Sequence, residues 1–197
     1  MRELINISQM TERGHIDSFN MMVVGKYFEC IEDFMNVEMV NKKYCGITEK
    51  YRYNPIPLND EKSRNMFSDI ETLHIYSYQD NKWEDGTIQR YVLWFPVSVG
   101  IAEKIKENAE RKNLKYTKKD RKKYGNEIPE SVKIVGKECF NECTSLSSIS
   151  IPSSVSEIDD SCFDGCTSLS SISIPSSVTK IGYNFFNRCS SLSSISM

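Results

Sequence analysis

The chain has 197 residues, of which 39% are hydrophobic and 26% charged, with a net charge of −2. This composition can build a folded core and argues against global disorder. The near-neutral balance gives no reason to expect nucleic acid, and no run approaches the roughly 18 apolar residues of a membrane span.

Met1 to His15 alternates polar and apolar residues and has no apolar core of the kind a secretory signal needs. Residues 1–16 are expected to be disordered. Asn6-Ile7-Ser8 fits a glycosylation acceptor, which only an exported chain would use. The closing Ser-Ile-Ser-Met is not a prenylation box. A cytoplasmic address is the expectation.

Two helices follow. Asp17-Ser18 offers an N-cap to a helix carrying Phe19, Met22, Val23 and Tyr27 at helical spacing. A second starts near Ile31-Glu32-Asp33, with Phe34, Val37, Val40, Tyr44 and Ile47 on one stripe and Lys42-Lys43 near its far end, where they suit the dipole. Asn54-Pro55-Ile56-Pro57 then forbids helix. Residues 17–50 therefore read as a helical cap. Tyr27-Phe28, Asp33-Phe34, Val40, Asn41-Lys42-Lys43 and Tyr44 also sit at the offsets of an F-box, which the pair resembles; the Leu-Pro that usually opens that motif is replaced by Ile16-Asp17. That resemblance implies an adaptor that presents substrates to a ubiquitin ligase and docks a ligase subunit through Phe28, Phe34 and Val40. The preferred expectation is the cap, because arrays of the kind found further along the chain need their first coil shielded.

Residues 51–127 read as an irregular, strand-rich segment with degenerate repeats. Ile70-Glu-Thr-Leu73-His-Ile75 has the spacing of a repeat strand, Asp85-Gly86 signals a turn, and Tyr91 to Phe95 is rich in β-formers. These strands are expected to extend the sheet of the repeats, giving one continuous body. Ile101 to Lys123 reads as a helix, a link at 113–116, and a second helical turn capped by Thr117 with Asp120 three residues on. Arg111 to Lys123 holds eight basic residues against one acid. A solvated helix face is expected there rather than contact with a membrane.

Residues 128–197 repeat one 23-residue frame three times: Ile128–Ser150, Ile151–Ser173 and Ile174–Ser196. Aligned apolar positions are Ile128/151/174, Val132/155/178, Val135 with Ile158 and Ile181, Phe140/163/186, Leu146/169/192 and Ile149/172/195. A unit this short cannot bury its own apolar face and must stack on a neighbour, so the expectation is an α/β solenoid. Leu146-Ser-Ser-Ile149-Ser-Ile151 ends in a period-two strand, stopped at once by Pro152. Parallel pairing of these strands should line a concave face. A helical turn at Glu138-Cys139-Phe140 and its equivalents should return the chain, ending at Asn141-Glu142, Asp164-Gly165 and Asn187-Arg188 in the left-handed conformation.

Phe140-Asn-Glu-Cys143-Thr-Ser-Leu146-Ser-Ser-Ile149, its two copies and the Ile-Pro-x-Ser-Val openings resemble the BspA-type, or Treponema-type, leucine-rich repeat. The resemblance implies a leucine-rich-repeat array used for protein–protein interaction, a family common on microbial cell surfaces. Phe140, Phe163 and Phe186 should then form a column. The outward strand positions are Ser148, Ser150, Ser171, Ser173, Ser194 and Ser196, a surface of hydroxyls that serves either as polar filler or as a hydrogen-bonding face. Trp83, Tyr91 and Trp94 are the best aromatic anchors for a partner. Leu192, Ile195 and Met197 are left open at the last coil, so self-association or a longer array is expected.

Cys143, Cys166 and Cys189 are equivalent, as are Cys139 and Cys162, whose place Phe185 takes in the third unit. Phenylalanine replaces a small buried apolar residue but not a metal ligand, so these read as reduced core thiols. Cys30 and Cys45 flank the second helix and could serve as nucleophiles, although burial in the core is the commoner place for a lone cysteine and is the expectation here. His15 and His74 have no nucleophile or metal partner in a recognisable motif, and no phosphate loop or dinucleotide fingerprint occurs. The expectation is a non-enzymatic module with no cofactor and no metal, binding another protein.

Overall fold

The computed structural model describes residues 16–105 and 107–197. The expectations for residues 1–15, including His15 and the Asn6 acceptor, lie outside them. The chain divides into two compact units, with the break between Val92 and Leu93.

The first unit opens as expected. Asp17 caps α1 (Ser18–Gly25) by accepting the Asn20 N–H at 2.7 Å, which satisfies a donor that the helix itself leaves unpaired. At the start of α2 (Ile31–Val40) the Asp33 carboxylate accepts the N–H groups of Glu29 and Cys30 at 3.0 and 3.3 Å. The second helix is shorter than its apolar stripe. Asn41 turns extended, and its Oδ1 accepts the Lys43 N–H at 3.1 Å. A 3-10 turn at Lys42–Tyr44 follows, and Gly46 takes a φ of 68°. Lys42 and Lys43 thus lie beyond the helix, because the Asn41 side chain competes for its backbone.

Tyr44 and Ile47 are nevertheless buried. Phe34 lies at the centre of an aromatic cluster, edge-to-face with Phe28, Tyr51 and Phe67 at 4.9, 5.8 and 5.1 Å. A Cβ at Gly25 would stand 2.3 Å from the Tyr51 hydroxyl, so only glycine lets α1 approach this cluster. Two buried polar residues brace the rest. Asn54 donates to the carbonyls of Ile56 and His74, both at 2.8 Å, and accepts the His74 N–H at 2.7 Å. Arg64, in α3 (Glu61–Met66), holds Asp85, Phe67 O and Thr87 at 2.7–2.8 Å. β1 (Thr72–Ile75) buries Leu73 and Ile75 at the expected spacing and neighbours β2 (Arg90–Leu93). These two strands belong to a different sheet from the repeats, which corrects the expectation of one extended sheet.

In the second unit β3 (Val97–Ser98) leads into α4 (Val99–Ala102), a single turn. β4 (Ala109–Arg111) and β5 (Leu114–Tyr116) follow where a helix and a link were expected. α5 (Lys118–Tyr124) is capped as predicted, with Thr117 and Asp120 bonded reciprocally. The repeats supply β6 (Ile134–Val135), β7 (Glu157–Ile158), β8 (Ser171–Ser173), β9 (Lys180–Ile181) and β10 (Ser194–Ser196). Short parallel strands are present, but in two rows. The continuous row is β3-β5-β6-β7-β9, in which Ile134 pairs Glu157 and Glu157 pairs Lys180, one 23-residue unit per step. The Leu-x-x-Ile-x-Ile strands make only the lesser row: β8 with β10, plus a bridge from Ser150 to Ser173.

The returning segment is not helical. Glu138, Phe140 and Glu142 donate their N–H groups to the carbonyls of Asp160, Cys162 and Asp164 at 3.0, 2.9 and 2.7 Å. Ser161, Phe163 and Gly165 repeat this to Tyr183, Phe185 and Asn187. Alternate residues can point the same way because Glu138 and Glu142 adopt φ of 55° and 57°, and the equivalents in the next units do likewise. The left-handed residue is thus the second of each predicted pair, joined by an unpredicted one four residues earlier. A ladder between units runs alongside single-turn bonds within each unit, such as Cys139 N–H to Gly136 O at 3.1 Å and Asn141 N–H to Glu138 O at 3.2 Å, and no continuous helix forms.

The predicted column is present inside. Phe140 stacks on Phe163 with ring centres 5.2 Å apart, and Phe186 follows at 6.1 Å. Val132, Val135, Phe140, Val155, Ile158 and Phe163 are fully buried, whereas Ile181 and Ile195 in the third unit are 43% and 46% exposed. The thiols also join units: Cys166 Sγ donates to Phe140 O at 3.1 Å and Cys189 Sγ to Phe163 O at 3.0 Å. Burial pushes the Cys139 and Cys166 thiols up to about 12. Cys30 and Cys45 are exposed, contrary to expectation: Cys30 is the N-cap residue of α2 and Cys45 follows the 3-10 turn beyond it, so neither belongs to the helix's apolar stripe.

Phe163→Ala should cost about 3–5 kcal/mol and Phe186→Ala about 1–2 kcal/mol in denaturant unfolding, since only the former ring is enclosed on both sides. Equal losses would refute the stacking order. At about pH 8 a disulfide reagent should modify Cys30 and Cys45 in the native protein, and Cys139, Cys162 and Cys166 only on unfolding, as read by peptide mass mapping.

Candidate interaction surface

The six predicted serines are all exposed, and their hydroxyls have no hydrogen-bond partner among the described residues. The serines beside them behave differently. Ser170 and Ser193 donate to Ser147 O and Ser170 O, while Ser154 and Ser177 each donate at 2.7 Å to Val132 O and Val155 O. The repeat therefore uses some hydroxyls to join units and leaves one row free.

Beside residues 148–150, which lie outside the named strands apart from the bridge of Ser150 to Ser173, is a groove of about 830 Å³ lined by Ser148, Ile149 and Ser150. Tyr124 and the run Asn126 to Glu130 also line it, and Val99 and Glu103 complete it. The groove exists because the repeat frame fails just before it. One unit earlier than Leu146 and Ile149 stand Lys123 and Asn126, so no apolar strand forms there to pair with residues 148–150. That lapse in the frame was the sequence signal for this site, and the expected site residues included only Ser148 and Ser150 from it.

The groove's lining combines apolar and acidic side chains. Val99, Ile128, Ile149 and Pro152 give it carbon surface, and Glu103, Glu127 and Glu130 rim it. Glu103 is engaged: the Tyr124 hydroxyl donates to it at 2.5 Å and Lys123 pairs with it at 3.1 Å. These hydrogen bonds, Tyr124 first and Lys123 second, hold its carboxyl below the ordinary glutamate range. Glu127 and Glu130 are exposed and have no partner among the described residues.

The remaining expected site residues are not gathered here. Trp83 and Tyr91 are half-buried in the first unit, where the indole donates to Leu58 O at 2.6 Å and the Tyr91 hydroxyl to Trp83 O at 3.1 Å. Trp94, in the second unit, is 40% exposed under the Lys112 ammonium. Phe28 is half-buried against Phe34, which is only 1% exposed; Phe34 is a core residue and has no surface to dock anything. Val40 is 78% exposed.

The basic stretch is largely compensated. Lys115 pairs with Asp159 at 2.6 Å, Arg121 donates to Cys139 O at 2.7 Å and lies over the Phe140 ring, and Lys118 reaches Glu138. Among the described residues no cluster of three or more His, Cys, Asp or Glu is placed to hold a metal. No helix among them is long and apolar enough to cross a membrane.

Residues 122–197 match the family model described as BspA type Leucine rich repeat region (6 copies). The match begins in the last turn of α5 and takes in all three 23-residue units, whereas the helical pair at 17–50 lies outside it. No curated protein and no solved structure matches the chain.

Glu103 gives this site a pH dependence. A carboxyl depressed in the folded state contributes its contacts above the unfolded pKa and loses them as pH falls through the folded value. Acidification below the ordinary glutamate range should therefore release Tyr124 and Lys123. In a carbon NMR titration the Glu103 midpoint should lie below that range and rise towards it in Tyr124→Phe; an unmoved midpoint would remove Tyr124 as the cause.

Proposed function

We propose that this chain is a non-enzymatic protein-interaction module, in which a leucine-rich solenoid over 128–197 presents its serine row and the adjoining groove to another protein. The observation that carries this is the unused row: six exposed serines whose hydroxyls have no partner among the described residues, next to a groove lined in part by carbon. Such a surface gains from a partner that supplies hydrogen bonds and covers carbon. The repeat family supports the same class of function. In this reading residues 17–50 are the helical cap, 51–127 an irregular strand-rich segment, and the buried thiols suit a reducing, cytoplasmic setting. Self-association through the third unit belongs to it as well, supported by the exposure of Ile181, Tyr183 and Ile195.

The second reading, a ubiquitin-ligase adaptor, draws on Met39 and Val40, which are 75% and 78% exposed at the end of α2. It has to do without Phe34. Micromolar binding of the ligase's docking subunit, lost in Val40→Asp, would support it; no binding would end it.

The module reading is tested with the full chain as bait. Ser173→Arg with Ser196→Arg should abolish capture of the partner while the circular dichroism spectrum stays native. If the wild-type chain captures nothing above an unfolded control, the reading fails.

A further inference from the structure

We propose that the groove beside Ser148 and Ser150 takes an extended segment of a partner protein bearing lysine or arginine, added as a strand along residues 148–150. The proposal rests on the module reading and names the chemistry of the partner at this part of the surface.

The first argument is the backbone edge. Ile174 donates its N–H to Ser196 O at 2.8 Å, so residues 172 and 174 turn towards the following unit. Successive residues of a parallel strand alternate between edges, so 171 and 173 turn to the preceding unit, where Ser173 bridges to Ser150. One unit earlier the counterparts are Ser148 and Ser150, which turn their N–H and C=O groups away from the repeats and towards the groove. No strand lies there: Asn126 and Glu127, which hold the matching place in the frame, are not in a strand. An open edge with unpaired backbone groups is a template for strand addition.

The second argument is the flanking chemistry, which selects the added strand. Its side chains alternate in direction. One set would meet the carbon surface of Val99, Ile128 and Ile149, and the other Glu127 and Glu130, which have no counter-ion among the described residues. Glu103 already has Lys123, so the uncompensated charge is negative and localised beside the edge. A groove of one sign favours and orients a segment of the other.

The same charges exclude the nearest alternative occupants. A second copy docking through its repeats would bring seven acidic residues against four basic ones, and its basic run at 111–123 is largely engaged within its own chain. Nucleic acid would bring phosphates against two free carboxylates.

The test is fluorescence anisotropy with the full chain and labelled heptapeptides. One alternates lysine with valine, one alternates glutamate with valine, and two carry the lysine–valine sequence N-methylated on one or the other alternate set of residues. The lysine–valine peptide should bind saturably and the glutamate–valine peptide should not. Methylation of one set should abolish binding and of the other set spare it, since a strand uses one edge. Glu127→Gln with Glu130→Gln, both exposed substitutions, should weaken binding about ten-fold. Lys82→Gln, an exposed change in the first unit, should leave it unchanged. Equal binding of both peptides, indifference to methylation, indifference to the glutamate changes, or no saturable binding at millimolar peptide would each overturn the proposal. The module reading would then still stand or fall on partner capture by the serine row, a separate measurement.

Discussion

The second unit depends on one constraint: each 23-residue unit must meet the next in fixed register along two backbone rows at once. On one row β6, β7 and β9 pair one unit apart, and on the other Glu138, Phe140 and Glu142 donate to Asp160, Cys162 and Asp164. Neither row is stable alone, because a two-residue strand and an irregular turn bury little. Together they set the unit spacing close to the distance between paired strands. That spacing is what lets Phe140 lie flat on Phe163 at 5.2 Å with the ring planes 11° apart. The apolar interior follows from the hydrogen-bond register as much as it drives it.

The same register explains why serine and cysteine recur in an interior that needs so little polarity. A hydroxyl or thiol placed at the edge of a unit finds a carbonyl of its neighbour at hydrogen-bond distance, as Ser154, Ser177, Cys166 and Cys189 do. Buried groups of this kind are tolerated because they are satisfied. Serine on the outer positions makes no such bond among the described residues. Serine thus occurs in two settings, bonded between units at the turn positions 154 and 177 and without a hydroxyl partner among the described residues at 171, 173, 194 and 196. Where the frame lapses before Ser148, neither setting occurs in the neighbouring segment, and a groove opens between an unpaired edge and an acidic run.

The first unit is built on different terms. It has no repeat to enforce register, and it relies on single buried polar clamps. Asn54 joins the Pro55–Pro57 segment to β1, and Arg64 joins α3 to the turn at Asp85. The aromatic cluster at Phe34 fills the space between helices that are too short to be stable alone. Phe34 shows how a docking motif and a core position can share one spacing: both ask for a large apolar residue one turn into a helix.

The sequence by itself determined the repeat length, most of the inward residues, the caps at Asp17 and Thr117, one of the two left-handed positions in each unit and the exposed serine row. These follow from local periodicity and from side chains that bond to their own backbone within a few residues. It misplaced the dominant sheet, expected helix at 101–112 and at each returning turn, and did not reveal the groove, Asn54 or Arg64. Those were decided by tertiary structure. A two-residue strand such as Ile134–Val135 has no period to read and exists only because its neighbours align beside it. The clamps join residues about 20 apart, and the groove is a place where an expected neighbour fails to pair. Such features are defined between segments rather than within them, and only the folded chain brings those segments together.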